Sequence, residues 1–508
     1  MIECMFEEIS EPEPDPQAGG GDGFEWLEQL CTQRTPTAES VGWLEQISAA
    51  VRAENRAAAA QLVAIGALFG YRLSQGSETE DWAIDTMEAV AAEVAAELKI
   101  SQAVAASRIR YAREMRERLP KVGAVFTAGD IDFAAFRTIV CRTELIEDPD
   151  ILARVDELVA GNVTRWTSLS RRRLSGKVDA IVARVDADAV RRREQVQTDR
   201  EVWIGAEVDG IAQIHGSLLS PDAHALDARL TALAATVCGQ DPRTAAQRRA
   251  DALGALAAGA DRLGCRCGRP DCAAGATKPA SPVTIHVIAE QATLEGRGGA
   301  PASELTADGL ITPELLAELA ASAKLVPLIH PADAPPEPGY TPSAALAAFV
   351  RARDLTCRWP GCDHPAMHCD LDHTIPHAQG GPTHAANLKC YCRTHHLVKT
   401  FWGWRDQQLA DGTLILTSPA GRTYVTTPGS ALLFPSLCQA VGGMPAPEAD
   451  PPQEPCPGRT AMMPKRRRTR AKDRAHKVAT ERQQNHEARM AAQAAAAARN
   501  DPDEPPPF

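Results

Sequence analysis

The sequence predicts a mainly α protein with small β elements (α+β), in which a helical N-terminal domain precedes a compact C-terminal module. Three observations carry that expectation. Alanine dominates segment after segment while aromatic residues make up only 5% of the chain, a balance that favours helix over sheet. Apolar residues recur at three- and four-residue steps through much of the first half. Cysteine and histidine then crowd into one late stretch, Arg351 to Trp404, which holds seven of the chain's 13 histidines and reads as metal-site density rather than core.

Taken in order, residues 1–23 are acidic and rich in Pro and Gly, a composition that buries too little apolar surface to order itself. Residues 24–330 are expected to form the helical domain. Trp43, Leu44, Ile47 and Val51 mark one helix, and Met87, Val90, Val94 and Leu98 another. Ser101 then suits the N-cap of SQAVAASRIRYAREMRERL. Helix, tight turn, helix is either plain architecture or a DNA reader presenting Gln102, Arg108 or Arg110. Further helices are expected at Phe133–Thr143, Asp148–Val163 and Ser168–Gln195, the last with Arg171, Arg172 and Arg173 on a solvated face. A β-hairpin is expected near 202–218, turning at Asp209-Gly210, with Pro282–Ala289 as a third strand for it. Two helical stretches between these strands end at Cys265, Cys267 and Cys272, which either hold zinc with His215, His224 or His286 as fourth ligand or remain free thiols.

Residues 331–342 are Pro-rich and mark a linker, and residues 343–427 form the module, ending in a β pattern that turns at Asp411-Gly412 and Ala420-Gly421. Residues 428–460 are a Pro/Gly-rich linker. Residues 461–508 are a basic, then Ala-rich tail, expected as a solvated, partly helical extension whose first half (Lys465, Arg466, Arg467, Arg468, Arg470) is able to hold phosphate. The net charge of −12 excludes a uniformly basic nucleic-acid coat, so any phosphate contact should be local. With no long uninterrupted apolar run and an acidic N-terminus, the sequence predicts a cytoplasmic protein without a membrane partner, its 14 cysteines serving as thiols or metal ligands rather than disulfides.

The chemistry concentrates in the late stretch. Cys357 and Cys362 frame the turn RWPG, and Cys392 and His395 stand as C-x2-H, so two ligand pairs can close a tetrahedron around a structural zinc. Cys369 and Cys390 are rival ligands or buried thiols. Structural zinc leaves Asp372, His373, Asn387 and His396 unexplained, and these are the groups that metal-assisted phosphodiester hydrolysis needs. Asp372 and His396 would hold one divalent ion, Mg2+ or similar, and His373 would take a proton from water. Successive strand residues face opposite ways, so Asp372 and His373 converge only if the strand bends. His364, His368, His377 and His384 are expected in loops or on the surface. Arg351, Arg353 and Arg358 are expected on a solvated face, or against phosphate if they border a cleft.

The order C-x4-C, LDHTIP, GGPT, NL and C-x2-HH-x2-KT resembles the HNH endonuclease family, with its ββα-metal fold. The resemblance implies a zinc-stapled HNH module that cuts DNA to leave a 3′-hydroxyl and a 5′-phosphate. It implies His373 as general base and Asp372 and His396 as catalytic metal ligands, with Asn387 orienting the loop or touching the metal. It also implies Lys399 as a phosphate-facing cation and Cys357, Cys362, Cys392 and His395 as the zinc site. With DPRTAAQRRADAL, CRCGRPDC and GRTYVTTP, the chain is also similar to the actinobacterial 13E12 repeat family, in which a helical domain of undefined function precedes an HNH module. The competing expectation is a non-catalytic DNA-binding regulator or mobile-element protein with a structural zinc; an RNA-directed nuclease is less favoured, as RNA-stacking aromatics are lacking. Oligomeric state and DNA target are not legible.

Overall fold

The computed structural model describes residues 37–75, 79–166, 169–190, 201–208, 211–274, 286–305, 310–321, 323–442 and 462–499. The expectations for 1–23, for most of the 428–460 linker and for the Asp209-Gly210 turn lie outside these residues.

The helical domain is built on α1 (Ala38–Gln75). Its buried stripe is Asn55, Ala59, Leu62, Ile65, Gly66 and Phe69. Trp43, Leu44 and Ile47, which the periodicity marked, are each more than half exposed, because nothing described packs on the first turns. Helix α2 (Thr86–Leu98) starts where the Asp85 side chain accepts from the Glu88 amide, and it is buried at Thr86 and throughout 89–96. A helix apolar on every side belongs inside. Lys99 turns the chain with φ 54°, and Ser101 caps α3 (Gln102–Arg113) by accepting from the Val104 amide.

In the α2–α3 pair the three candidate side chains have partners within the protein. Gln102 donates to Glu88, Arg108 donates to Gln61 and lies over Phe133, and Arg110 meets Tyr111 and Glu144. Helices α4 (Pro120–Ala128), α5 (Phe133–Thr143), α6 (Pro149–Val163) and α7 (Arg171–Val185) complete one core around Leu62, Ile109, Phe126, Phe136, Val155 and Val178.

Strands β1 (Val202–Val208) and β2 (Ile211–Gly216) form the expected antiparallel hairpin, with Trp203 opposite His215. Helices α8 (Ser220–Ala234) and α9 (Ala245–Ala257) follow. The third strand does not join this hairpin. Strand β3 (Val287–Ile288) pairs with β4 (Ala302–Glu304), which pairs with β5 (Leu310–Ile311). Helix α10 (Pro313–Ala320) supplies that sheet with its own small core of Ala302, Ile311 and Leu316, which the exposed hairpin lacks.

The C-terminal module begins with α11 (Ala344–Asp354) and continues through β6 (Asp370–His373), β7 (Leu388–Tyr391) and α12 (Arg393–Phe401). Strands β8 (Arg405–Gln408), β9 (Leu414–Thr417) and β10 (Thr423–Thr426) close it as an antiparallel sheet with β9 central. The module shares its core with α2: Ile84, Ala92 and Ala96 pack with Phe349, Trp359, Tyr391, Val398 and Trp404. Trp402 Nε1 donates to the Ile84 carbonyl at 3.2 Å, and Arg422 and Tyr424 bind Glu97. Helix α2 thus serves two cores.

The tail corrects the sequence expectation. Helix α13 (Arg470–Arg499) is a strap laid along the acidic helical domain, not a solvated extension. Arg470 pairs with Asp85, Arg474 with Glu114, Arg482 with Asp186 and Arg489 with Asp188, each at 2.7–2.8 Å. Lys465 reaches Asp81, and Val478 enters the helical core. Lys465, Arg466, Arg470 and Arg474 of the basic run are thus paired with acidic residues of the helical domain.

Candidate metal centres and active site

Cys357 and Cys362 lie on the knuckle after α11, Cys392 is the residue before α12, and His395 is on its first turn. One ligand atom from each falls within 4.8 Å of all the others. His395 Nδ1 is 3.2 Å from Cys392 Sγ and 3.5 Å from Cys357 Sγ. Tetrahedral bonds of about 2.1 Å to nitrogen and 2.3 Å to sulfur would separate such atoms by roughly 3.6 Å. The set can therefore hold a metal ion such as zinc. The His395 ring lies flat against Trp359, centroids 4.7 Å apart, which fixes its direction. Of the rivals, Cys390 is buried in the core, while Cys369 turns its thiol to the His364 carbonyl and lies beside Cys357.

The adjacent His396 faces elsewhere, as the division between the two histidines requires. Its Nδ1 lies 2.8 Å from Asp370 Oδ2, and its Nε2 lies 3.3 Å from Asp372 Oδ1. Asp370 and Asp372 are two apart on β6 and so share a face. With Nδ1–H donated to the Asp370 carboxylate, Nε2 carries a lone pair aimed at a carboxylate oxygen. Two acceptors facing each other at that separation suit adjacent ligands of one cation with bonds of about 2.1 Å.

The other oxygen of Asp372 is already satisfied. Its Oδ2 accepts from both Lys389 Nζ and Lys399 Nζ, each at 2.7 Å. Lys389 also reaches Asp406 at 2.9 Å and Thr374 Oγ1 at 3.0 Å. Burial pushes the Asp372 carboxyl up, but the Lys389 and Lys399 ammonium groups outweigh it and hold it well below the usual range. Lys389, Lys399, Asp372 and Asp406 form a neutral buried quartet, and Asp370 beside it is shared between His396 and Arg393, the latter at 3.2 Å.

His373 ends β6 and is 5% exposed. Its ring stacks on Tyr340, and its Nε2 lies 2.9 Å from Thr383 Oγ1. Thr383 Oγ1 also lies 3.4 Å from the Tyr340 carbonyl, so the hydroxyl ties the His373 ring to the segment that bears Tyr340. Burial lowers the imidazole pKa to about 4, so the ring is neutral at pH 7. Asp372 and His373 keep separate hydrogen-bonding partners on opposite sides of the strand, joined through Lys399, which also donates to the His373 carbonyl at 2.6 Å.

Asn387 is saturated by the loop between the strands. Its Oδ1 accepts from the Ile375 amide, and its Nδ2 donates to the carbonyls of Ile375 and Pro382. Of its two expected roles, loop organisation matches this geometry.

Three expectations are corrected. Arg358 does not face phosphate: it is buried and donates to Asp354, Gly412 and Thr426, because the knuckle turns it under β9 and β10. Arg353 is likewise buried, on Asp354 and the carbonyls of Ala385 and Leu388. Lys399 is spent on Asp372 and backbone carbonyls rather than offered to phosphate. His384 lies in the loop between β6 and β7, as expected, where it is 3% exposed and bridges the Ala334 carbonyl and the Ala386 amide. Sequence reasoning also missed Asp370, Lys389, Asp406 and Tyr340. Strand alternation from Asp372 would have found Asp370; Tyr340, assigned to a linker, carried no such signal. In the helical region, the fourth member of the Cys265, Cys267 and Cys272 cluster is Cys238, not a histidine.

Comparison with known proteins places the helical region. Residues 49–354 match the family described as Domain of unknown function (DUF222). The chain belongs to the DUF222 family. The match covers α11 and stops before the metal-bearing knuckle. Among its relatives, "Uncharacterized protein Rv3776" of Mycobacterium tuberculosis (strain ATCC 25618 / H37Rv) is 44% identical over 475 residues, covering 88% of this chain and 90% of the relative. "Uncharacterized protein Rv2100" of the same strain is 42% identical over 476 residues, covering 85% and 86%. These similarities run well past the DUF222 region. No solved structure matches.

Proposed function

We propose that this DUF222 protein is a metal-dependent HNH endonuclease of the 13E12 repeat type, hydrolysing DNA phosphodiester bonds. The supporting observation is the juxtaposition at the end of β6. A buried, neutral His373 and a pair of mutually facing acceptors, Asp372 Oδ1 and His396 Nε2, are carried by this strand end and the helix packed beside it, His373 on the opposite side of the strand from Asp372.

In this reading Cys357, Cys362, Cys392 and His395 hold a structural zinc. Their task is shape, since the ion ties the knuckle to α12 and thereby aims His396. Asp372 and His396 hold a divalent ion such as Mg2+, which when bound supplies charge neutralisation at the scissile phosphate and the departing oxygen. The His373 imidazole accepts a proton from water as the water oxygen bonds to phosphorus and the bond to the 3′ oxygen breaks. That oxygen takes a proton from solvent, giving a 3′-hydroxyl and a 5′-phosphate. Asp370 fixes the tautomer and direction of His396, Thr383 ties down the ring of His373, and Asn387 holds the loop between them. The quartet around Lys389 keeps Asp372 Oδ1 turned to the ion site.

The rival, a DNA-binding regulator with only a structural zinc, is less favoured in this reading, because Gln102, Arg108, Arg110, Arg470 and Arg474 have partners within the chain. The experiment is incubation of zinc-loaded protein with supercoiled, linear and branched DNA, with and without Mg2+ or Mn2+. Nicking that needs the added ion supports the proposal. Binding without any cleavage would favour the regulator.

A further inference from the structure

The DUF222 region carries a second cluster that the proposed nuclease chemistry does not use. Cys238 follows α8, and Cys265, Cys267 and Cys272 lie on the loop after α9. Their sulfurs all fall within 4.8 Å of one another, although Cys238 is far from the other three in sequence. Cys238 Sγ and Cys265 Sγ are 3.5 Å apart, far longer than a disulfide of about 2.05 Å and close to the roughly 3.8 Å expected between sulfurs on one zinc with 2.3 Å bonds.

The surroundings are built to hold the two loops in register. Asp241 accepts from the Arg266 amide and from the Arg243 guanidinium, and Arg243 reaches on to the Gly264 carbonyl at 2.7 Å. The Leu263 amide donates to Thr236 Oγ1. Gly268 takes φ 72° immediately after Cys267, a left-handed turn that brings the chain back toward Cys272. On the same loop Arg266 pairs with Glu318 at 3.0 Å and Arg269 with Asp271 at 2.7 Å, further ties that hold the loop in place. Apolar burial here is slight: the core between α8 and α9 has only Leu230, Leu233 and Ala252 fully inside. Small units with so little core are commonly stapled by a metal.

We propose that Cys238, Cys265, Cys267 and Cys272 form a tetrathiolate zinc site that staples α8 to the loop after α9, independently of the zinc in the C-terminal module. Four protein sulfurs leave no open position, so the site is structural rather than catalytic.

The test uses the full chain purified under reducing conditions. Metal analysis with native mass spectrometry should find two zinc ions per chain. Cys267→Ser and Cys357→Ser should each lower this to one, and Cys141→Ser, as control, should leave two. X-ray absorption at the zinc edge of the wild type needs no variant to fold, and should give an average of about 3.5 sulfur ligands per zinc, one site having four sulfurs and the other three. One zinc per chain with about three sulfurs, two zinc ions in Cys267→Ser, or iron in place of zinc would overturn the proposal. So would Cys238, Cys265, Cys267 and Cys272 recovered as disulfides from reduced, metal-replete protein.

Discussion

Lys389→Met is the substitution that most directly probes how the candidate active site is held together. Lys389 is fully buried and donates to Asp372, Asp406 and Thr374. Methionine keeps the approximate length and removes the charge. The quartet then has two carboxylates and one ammonium. Lys399 stays 2.7 Å from Asp372 but 3.5 Å from Asp406, so Asp406 keeps only that distant partner and the Tyr391 hydroxyl at 3.2 Å. Breaking a buried pair from one side costs about 3–5 kcal/mol, whereas an exposed pair is worth about 1 kcal/mol or less. Urea unfolding of zinc-loaded protein, followed through tryptophan fluorescence of the module, should therefore lose about 3–5 kcal/mol. Lys389→Met with Asp406→Asn should recover part of this, because the orphaned charge is gone. Asp372 also loses one of its two ammonium partners, so added Mg2+ should stabilise the variant more than the wild type. A loss under about 1 kcal/mol would refute the buried-quartet reasoning, as would recovery equal to nothing in the double variant.

Three other substitutions probe separate parts. Asp370→Asn should weaken divalent-ion binding and cleavage by about 10- to 100-fold while zinc content stays constant; isothermal titration with Mn2+ and a nicking assay check this, and unchanged affinity would remove Asp370 from the site. Cys357→Ser should empty the zinc site and make residues 343–427 protease-sensitive, since such a site contributes on the order of 10 kcal/mol to small modules; a compact, zinc-depleted module would contradict its structural role. Asp188 anchors the strap, and its Arg489 partner, with His486, holds its carboxyl at about 2 instead of 3.8. Its contribution is complete above about pH 4 and is lost as pH falls toward 2. Asp188→Asn should accordingly make the part of α13 around Arg489 more open to proteolysis at neutral pH, while the pairs of Arg470, Arg474 and Arg482 keep its first half in place; unchanged cleavage would remove Asp188 as an anchor.

Much of the local structure was legible because it rests on local rules. Ser101 as N-cap, Phe133–Thr143 as a helix and the hairpin near 202–218 follow from spacing and turn chemistry alone. The Cys357, Cys362, Cys392 and His395 grouping was readable because ligand spacing is itself geometric. What failed depends on burial and on partners distant in sequence. Arg358 and Lys399 look like free cations until the fold surrounds them with Asp354, Thr426 and Asp372. The basic tail looked solvated because nothing local says that Asp85, Glu114 and Asp188 line up to receive it. Cys238 was passed over for the same reason: its partners lie beyond an intervening helix.

The central claim is that His373 acts as a base beside an ion held by Asp372 and His396. It is tested most directly by comparing His373→Ala with wild type in one Mg2+-dependent nicking assay, with zinc content and DNA affinity measured on the same samples. The account predicts a loss of about 100- to 10,000-fold in cleavage rate with zinc and affinity nearly unchanged. Cleavage by His373→Ala at the wild-type rate, or no metal-dependent cleavage by wild type on any DNA form, would contradict it.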